Sequence, residues 1–177
     1  MTENGPKPPR VLLEVSHPHL KEFAGFLPEL NNESDRGCVM IACSYLDELL
    51  RQIVLAFLID VPASTTLLEG FNAPLGTLST RASAALALGL IRESEFKEAD
   101  TLRRVRNRFA HNVHISFDSQ DVDALCRNLT LSARSDDSSQ DKPRSLYISA
   151  AVALILNLTN RPTYVARQRL DAVEWPY

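Results

Sequence analysis

The sequence predicts an all-α fold, a compact up-down bundle of four main helices with shorter ones between them. Three observations carry this. Apolar residues recur at helical spacing in several long windows, no window alternates as a strand does, and capping residues mark where the windows begin and end. The 177 residues, 45% apolar and 23% charged, suit one globular domain. A chain of this size buries roughly 70% of its unfolded surface, enough for a real core.

Residues 1–16 form a polar lead-in, where Pro6, Pro8 and Pro9 block regular structure. The rest, 17–177, reads as a single helical domain. His17 to Asn31 forms a short helix with Leu20, Phe23, Leu27 and Leu30 on one side, interrupted by Pro28. Ser34 or Asp35 then caps a long helix to Leu58. Its Val39, Ala42, Leu46, Leu49, Ile53 and Phe57 keep helical spacing, and Met40, Cys43, Leu50 and Val54 widen the apolar face. Polar residues are confined to the stripe Ser44, Asp47, Glu48 and Arg51, where Asp47 and Arg51 suit an i, i+4 pair. So apolar a helix must be covered on most sides, by other helices or by a second subunit.

Ile59 to Gly76 is a long connection with Gly and Pro turn signals. Thr77 to Leu88 is a second main helix, dense in Ala and Ser, with Gly89 as its C′ residue. Ser94 caps a third, to about His111, with Glu95 and Glu98 favourable near its start. Val113 to Gln120 is a loop and Asp121 to Leu131 a shorter helix. Ser132 to Arg144 is Ser- and charge-rich and reads as a mobile linker. Ser145 to Asn160 is a buried-type helix through Ile148, Val152, Ile155 and Leu156. Thr163 to Val173 is a last short helix.

Charge and cysteine usage narrow the function. With 19 basic and 22 acidic residues the net charge is −3, so nucleic acid can be met only by a local patch. Cys38, Cys43 and Cys126 have neither a disulfide framework's number nor zinc spacing. Met1 to Arg10 has no apolar signal region, and Leu146 to Leu158 is shorter than the ~20 residues that span a bilayer. The expected location is the cytoplasm, with no membrane contact. Phosphate-loop, dinucleotide and nucleophile-elbow motifs are absent from the sequence. His111 and His114, at i, i+3, have no third ligand nearby in sequence, and His17-Pro18-His19 reads as a solvated loop. No metal or cofactor is expected.

The residues that could carry chemistry end the third main helix, in Arg103-Arg104-Val105-Arg106-Asn107-Arg108-Phe109-Ala110-His111-Asn112. Leu102, Val105 and Phe109 form the core-facing stripe. At about 100° per residue Arg106 lies only ~40° from Leu102, beside that stripe. Arg104, Asn107 and His111 share another face. Arg106 and His111 therefore meet only where the helix ends or bends near Ala110, or across two subunits. Arginine offers a planar charged fork for phosphate, and histidine gives and takes protons near neutral pH. Arg106, Asn107 and His111 could thus promote attack of an RNA 2′-hydroxyl on its own phosphate without a metal. A plainer account also fits: positive charge in a last turn complements the helix dipole, which explains Arg106, Arg108 and His111 without any substrate. Asp47 and Glu48 either face Arg106 or pair with Arg51.

Arg106 to His111 resembles the R-N-x-x-A-H motif of HEPN domains. Three longer blocks, ESDRGCVMIACSYLDELL at Glu33 to Leu50, LLEGFNAPLGTLSTR at Leu67 to Arg81 and FKEADTLRRVRNRFAHN at Phe96 to Asn112, resemble the mannitol operon repressor family. The resemblance spans about Leu20 to His114. It implies a compact helical fold, dimerisation, and repression of mannitol-uptake genes without a recognised DNA-binding motif. The chain agrees in showing no helix-turn-helix pattern. Repression then runs directly or through a protein partner such as a DNA-binding regulator. The HEPN resemblance implies Arg106 and His111 at a dimer interface, cutting RNA with support from Asn107. Three readings follow. They are a dimeric transcriptional regulator of a sugar-uptake operon, a metal-independent endoribonuclease, and an interaction module whose Arg103, Arg104 and Arg108 face binds an acidic partner; DNA or RNA could be met through the patch from Arg103 to His111.

Overall fold

The computed structural model describes residues 21–137 and 140–176. The lead-in at 1–16 and the His17-Pro18-His19 segment lie outside the described residues. The fold is all-α. In chain order the helices are α1 (Lys21–Asn32), α2 (Asp35–Phe57), α3 (Pro62–Leu68), α4 (Leu78–Ala87), α5 (Glu93–His111), α6 (Gln120–Arg127), α7 (Pro143–Thr159) and α8 (Arg161–Val165), with a 3-10 turn at Ala166–Gln168. Among the described residues no helix is long and apolar enough to cross a membrane.

The long helix α2 is the axis of the packing. Ser34 caps it by accepting from the Gly37 amide at 3.1 Å. Nine of its side chains are buried, and α1, α4, α5, α7 and α8 all pack against it. Most of its wide apolar face is thus covered from within the chain, while Met40 stays exposed. The Ala-rich α4 lets two helices approach closely, with Ala82 and Ala85 buried. Thr77 and Thr80 cap its start reciprocally. Gly89 ends it at φ +71°, where a side chain would be strained, and the Leu90 amide reaches the Ala85 carbonyl at 2.8 Å.

Several elements differ from the sequence-based expectation. Helix α1 continues through Pro28 to Asn32, because Leu30 is fully buried and holds the second half in place. Phe26, rather than Leu27, joins its buried side and stacks on Tyr45, with ring centroids 4.6 Å apart. The connection after Ile59 contains the helix α3, started by Pro62 at its first turn and anchored by buried Leu68. Helix α5 begins one residue before Ser94, because the Glu95 carboxylate reaches back to the Arg92 amide at 2.7 Å. Helix α6 is shorter than expected and stops at Arg127.

Helix α7 begins at Pro143, inside the segment assigned to a linker, and buries Leu146, Tyr147, Ala150, Ala151, Leu154, Ile155 and Leu158. Ile148 and Val152 are only partly buried and Leu156 is exposed. A helix apolar on every side offers no periodicity from which to choose the inward face. The segment before it is tied down in part: Arg134 donates to the Arg127 and Leu129 carbonyls, and the Ala133 amide to Ser149 Oγ. Beyond the 3-10 turn the chain leaves helical geometry, and the expected helix to Val173 is replaced by a strap. In it the Leu170 amide donates to the Phe57 carbonyl at 2.8 Å and Arg169 Nε to the Ala56 carbonyl at 3.3 Å. These carbonyls lie in the last turn of α2, which lacks intrahelical donors for them.

Two buried acids of α5 hold the periphery to the core. Glu95, 6% exposed, pairs with Arg161 of α8 at 2.8 Å. Glu98, 2% exposed, accepts from the Thr130 amide, the Thr130 hydroxyl and the Leu131 amide at 2.8–3.0 Å. We expect Glu98→Ala to leave those donors unmet and to lower stability by about 2–4 kcal/mol, read from the urea midpoint.

The three cysteines are free and buried. Burial pushes the thiols up from 9.0, Cys38 to about 11 and Cys126 to about 12, and raises Cys43 as well. An acid whose folded-state pKa is raised contributes stability that is intact below the unfolded pKa. We therefore expect stability to be flat in these groups below pH 9 and to fall between pH 9 and about 12. Denaturant midpoints across that range, with slow reaction of native thiols toward a disulfide reagent, check it.

Candidate functional site

The arginine-rich end of α5 divides into two faces. The helix is unbroken through His111. Five residues of ideal helix set Arg106 and His111 about 140° apart, so one protomer does not bring them together. His111 is exposed at the helix end, together with His114 beyond it. Arg106 is half-buried and faces back into the protein.

The other arginines also have separate places. Arg103 is held by Asp100 of its own helix at 2.7 Å, and Arg108 by Asp121 of α6 at 3.1 Å. Arg104 is exposed and has no ion pair among the described residues. Asn107 is half-buried beside it. The exposed face thus consists of Arg104 and His111, with the half-buried Asn107 between them at helical spacing.

Arg36, which sequence reasoning missed, organises this helix end. From the first turn of α2 it donates to the Phe109 carbonyl, to the Asn112 carbonyl at 2.8 Å and to the Val113 carbonyl at 3.1 Å. One orphan carbonyl of α5, that of Phe109, and the two that follow the helix at Asn112 and Val113 are thus met by an arginine from another helix. Its signal in sequence was weak, since a first-turn arginine on α2 reads as unfavourable to the dipole. Arg36→Ala should fray residues 109–114, raising their amide exchange, and cost about 1–3 kcal/mol in a thermal or urea unfolding series.

Arg106 lines a notch between α2, α4 and α5 with Met40, Cys43, Ser44, Asp47 and Leu78. Its volume is about 200 Å³. Asp47 pairs not with Arg51 but with Arg81 of α4, at 2.7 Å. Arg81 is 8% exposed and donates to the Leu75 and Leu68 carbonyls at 2.9 and 2.8 Å, which locks it under the α3–α4 connection. Arg51 instead binds Glu48 and Glu69, and this partner holds the Glu48 carboxyl down at about 2. Of the two acids, Glu48 therefore pairs within its own stripe while Asp47 shares the notch with Arg106.

One wall of the notch is chemically quiet. Cys43 Sγ lies 3.5 Å from the Tyr147 hydroxyl, which reaches the Val39 carbonyl at 3.3 Å. Burial raises the thiol's pKa more than Tyr147 and Arg106 lower it, so the sulfur stays protonated and unreactive. Among the described residues no group of three or more His, Cys, Asp or Glu is placed to hold a metal ion.

Comparison with known protein families finds none that matches the chain, and no curated protein matches it. Among solved structures, a chain of the X-ray structure of the MtlR–HPr complex from Escherichia coli is similar. The TM-score is 0.55 at 23% identity, over 80% of this chain and 96% of that one. The all-helical fold described above is therefore one that a chain of that complex shares almost throughout its length.

Proposed function

We propose that this chain is a cytoplasmic regulator of a sugar-uptake operon, of the mannitol-repressor type, acting through a protein partner and as a homodimer. The observation that carries the reading is the shared fold with a chain of a complex that contains HPr. The three sequence blocks that resemble the repressor family and the absence of a helix-turn-helix pattern point the same way. A protein partner of HPr type would meet the face of Arg104, Asn107 and His111, where Arg104 has no ion pair among the described residues.

The ribonuclease reading is less well supported. Within one protomer Arg106 turns toward Asp47 while His111 turns to solvent. Their joint action needs two copies to pool them, the arrangement that the motif resemblance implies.

Titration of HPr from the same organism into the full chain should show saturable binding, weakened about tenfold by Arg104→Glu and by raised salt. Deletion of the gene should raise transcripts of a sugar-transport operon, and the purified chain should elute as a dimer. Absence of both HPr binding and a transcript change would overturn the reading. So would RNA cleavage in excess chelator that is lost in His111→Ala, which would place the chain among ribonucleases.

A further inference from the structure

Helix α7 carries apolar residues all round, and among the described residues only one side of it is covered. Its Leu146, Tyr147, Leu154 and Leu158 are buried in the core, where α1, α2, α5, α6 and α8 pack on it. On the opposite side Ile148 and Val152 are part-exposed and Leu156 is 39% exposed. These three stand four residues apart and form one row along the helix. From Ser145 to Asn160 the sequence has no charged residue. Helices α2 and α5 differ, since they turn Glu48 and Arg104 to solvent. A helix with no charged side is one that packs on every side, so the row calls for a partner.

The chemistry of the row selects that partner. It offers a foreign surface no charge to read, but it matches itself. Ile148 and Leu156 lie equally far on either side of Val152, about 6 Å along the axis. A two-fold axis at Val152 therefore lays each Ile148 against the partner subunit's Leu156. The small Ser149 and Ala153 beside the row permit close approach. The charges beyond the two ends of α7 match as well. Before it come Asp136, Asp137 and Asp141 against Arg134 and Lys142, while Arg144 is taken by Asp35. After it Arg161 is taken by Glu95 and Arg169 by Asp60. Arg167 has no ion pair among the described residues and lies over the exposed Tyr164 ring, 5.5 Å from its centroid. Asp171 and Glu174 come after Leu170, which is bonded to the end of α2. The loop before α7 is thus net negative and the surface around Tyr164 net positive. Antiparallel pairing brings the two together.

We infer that the outward row of α7 is the contact between two antiparallel copies of this chain, with Ile148, Val152 and Leu156 at its centre and Arg167 facing the acidic loop of the partner subunit. This rests on the homodimer of the proposed function and names the surface that makes it. A stable pair needs about 800 Å² from each protomer, so the row is the apolar centre and the charged ends are the rim.

The test uses the full chain. Sedimentation equilibrium of the wild type should give twice the 19.7 kDa of one chain. Leu156→Arg, at an exposed position, should weaken the pair about tenfold or more and keep the helical circular dichroism. Arg167→Glu should weaken it several-fold, and less so at raised salt. Phe71→Ser, on the α3–α4 turn and 98% exposed in the native chain, should leave it unchanged. A short bis-maleimide should join Val152→Cys to its own copy. It should not join the wild type, whose cysteines are buried, nor Lys142→Cys, which antiparallel packing sets about 30 Å from its copy.

Three results would overturn the inference: a wild type monomeric at about 100 µM, a pair unaffected by folded Leu156→Arg, or a pair in which Lys142→Cys is joined and Val152→Cys is not. Should Leu156→Arg fail to fold, the two cysteine variants decide alone. A monomeric wild type whose HPr binding is lost in folded Leu156→Arg would give the row to that partner and overturn the inference too. HPr binding and transcript levels are read separately, so a chain that binds HPr and does not pair through α7 refutes the interface while regulation through a partner stands.

Discussion

Helix α2 has to be covered on almost every side, and the rest of the structure follows from that. Nine of its 23 residues are buried and Ile41, Tyr45, Leu55, Ala56 and Phe57 pack partly against the core, which together exceed the single apolar stripe of a surface helix. No one neighbour can shield such a helix. Helices α1, α4, α5, α7 and α8 each cover part of it. Their placement decides which polar groups end up near one another, because each helix brings its own polar residues to the seams around α2.

The seams are closed by hydrogen bonds that cross between elements distant in sequence. Arg36 holds the end of α5, and Arg81 holds the α3–α4 connection. Glu95 holds α8, and Glu98 holds the segment after α6. Each is a charged group meeting backbone groups or an opposite charge, and at the buried Arg81, Glu95 and Glu98 an unmet partner is costly. The loops are therefore tied to the core rather than merely tethered by chain connectivity. The strap after α8, bonded to the last turn of α2, extends the same principle to the chain's end.

The arginine cluster shows why a motif is not yet a site. Six consecutive residues from Arg106 to His111 look like one unit when written in a line. On a helix they spread over most of a circle. Arg106 lands in a notch with Asp47, Arg108 on α6, and His111 in solvent. The notch that results combines residues from three helices, no two of which are neighbours in the motif. Asp47 and Arg106 are brought together only because α2 and α5 both pack on the same core.

The sequence by itself determined the helical class, the four main helices to within a few residues, and the buried character of α2. It did so because helical periodicity and caps are local properties, expressed within a turn or two of chain. The Gly89 stop is of this kind; the Ser34 cap and the Glu48–Arg51 pair are equally local, but the sequence left Asp35 as a second cap and Asp47 as the other partner of Arg51. What only the tertiary structure decided is set by contacts between distant segments. Asp47 pairs with Arg81 rather than Arg51 because α4 delivers a buried guanidinium beside it while Glu48 and Glu69 hold Arg51. The inward face of α7 was undecidable from a pattern apolar all round, and was settled by which side met α2. The continuation of α1 through Pro28 needed the burial of Leu30 to hold it. Arg36 could be recognised as the cap of α5 only once the start of α2 and the end of α5 were seen side by side, because hydrogen bonds form across space and leave no period in the chain.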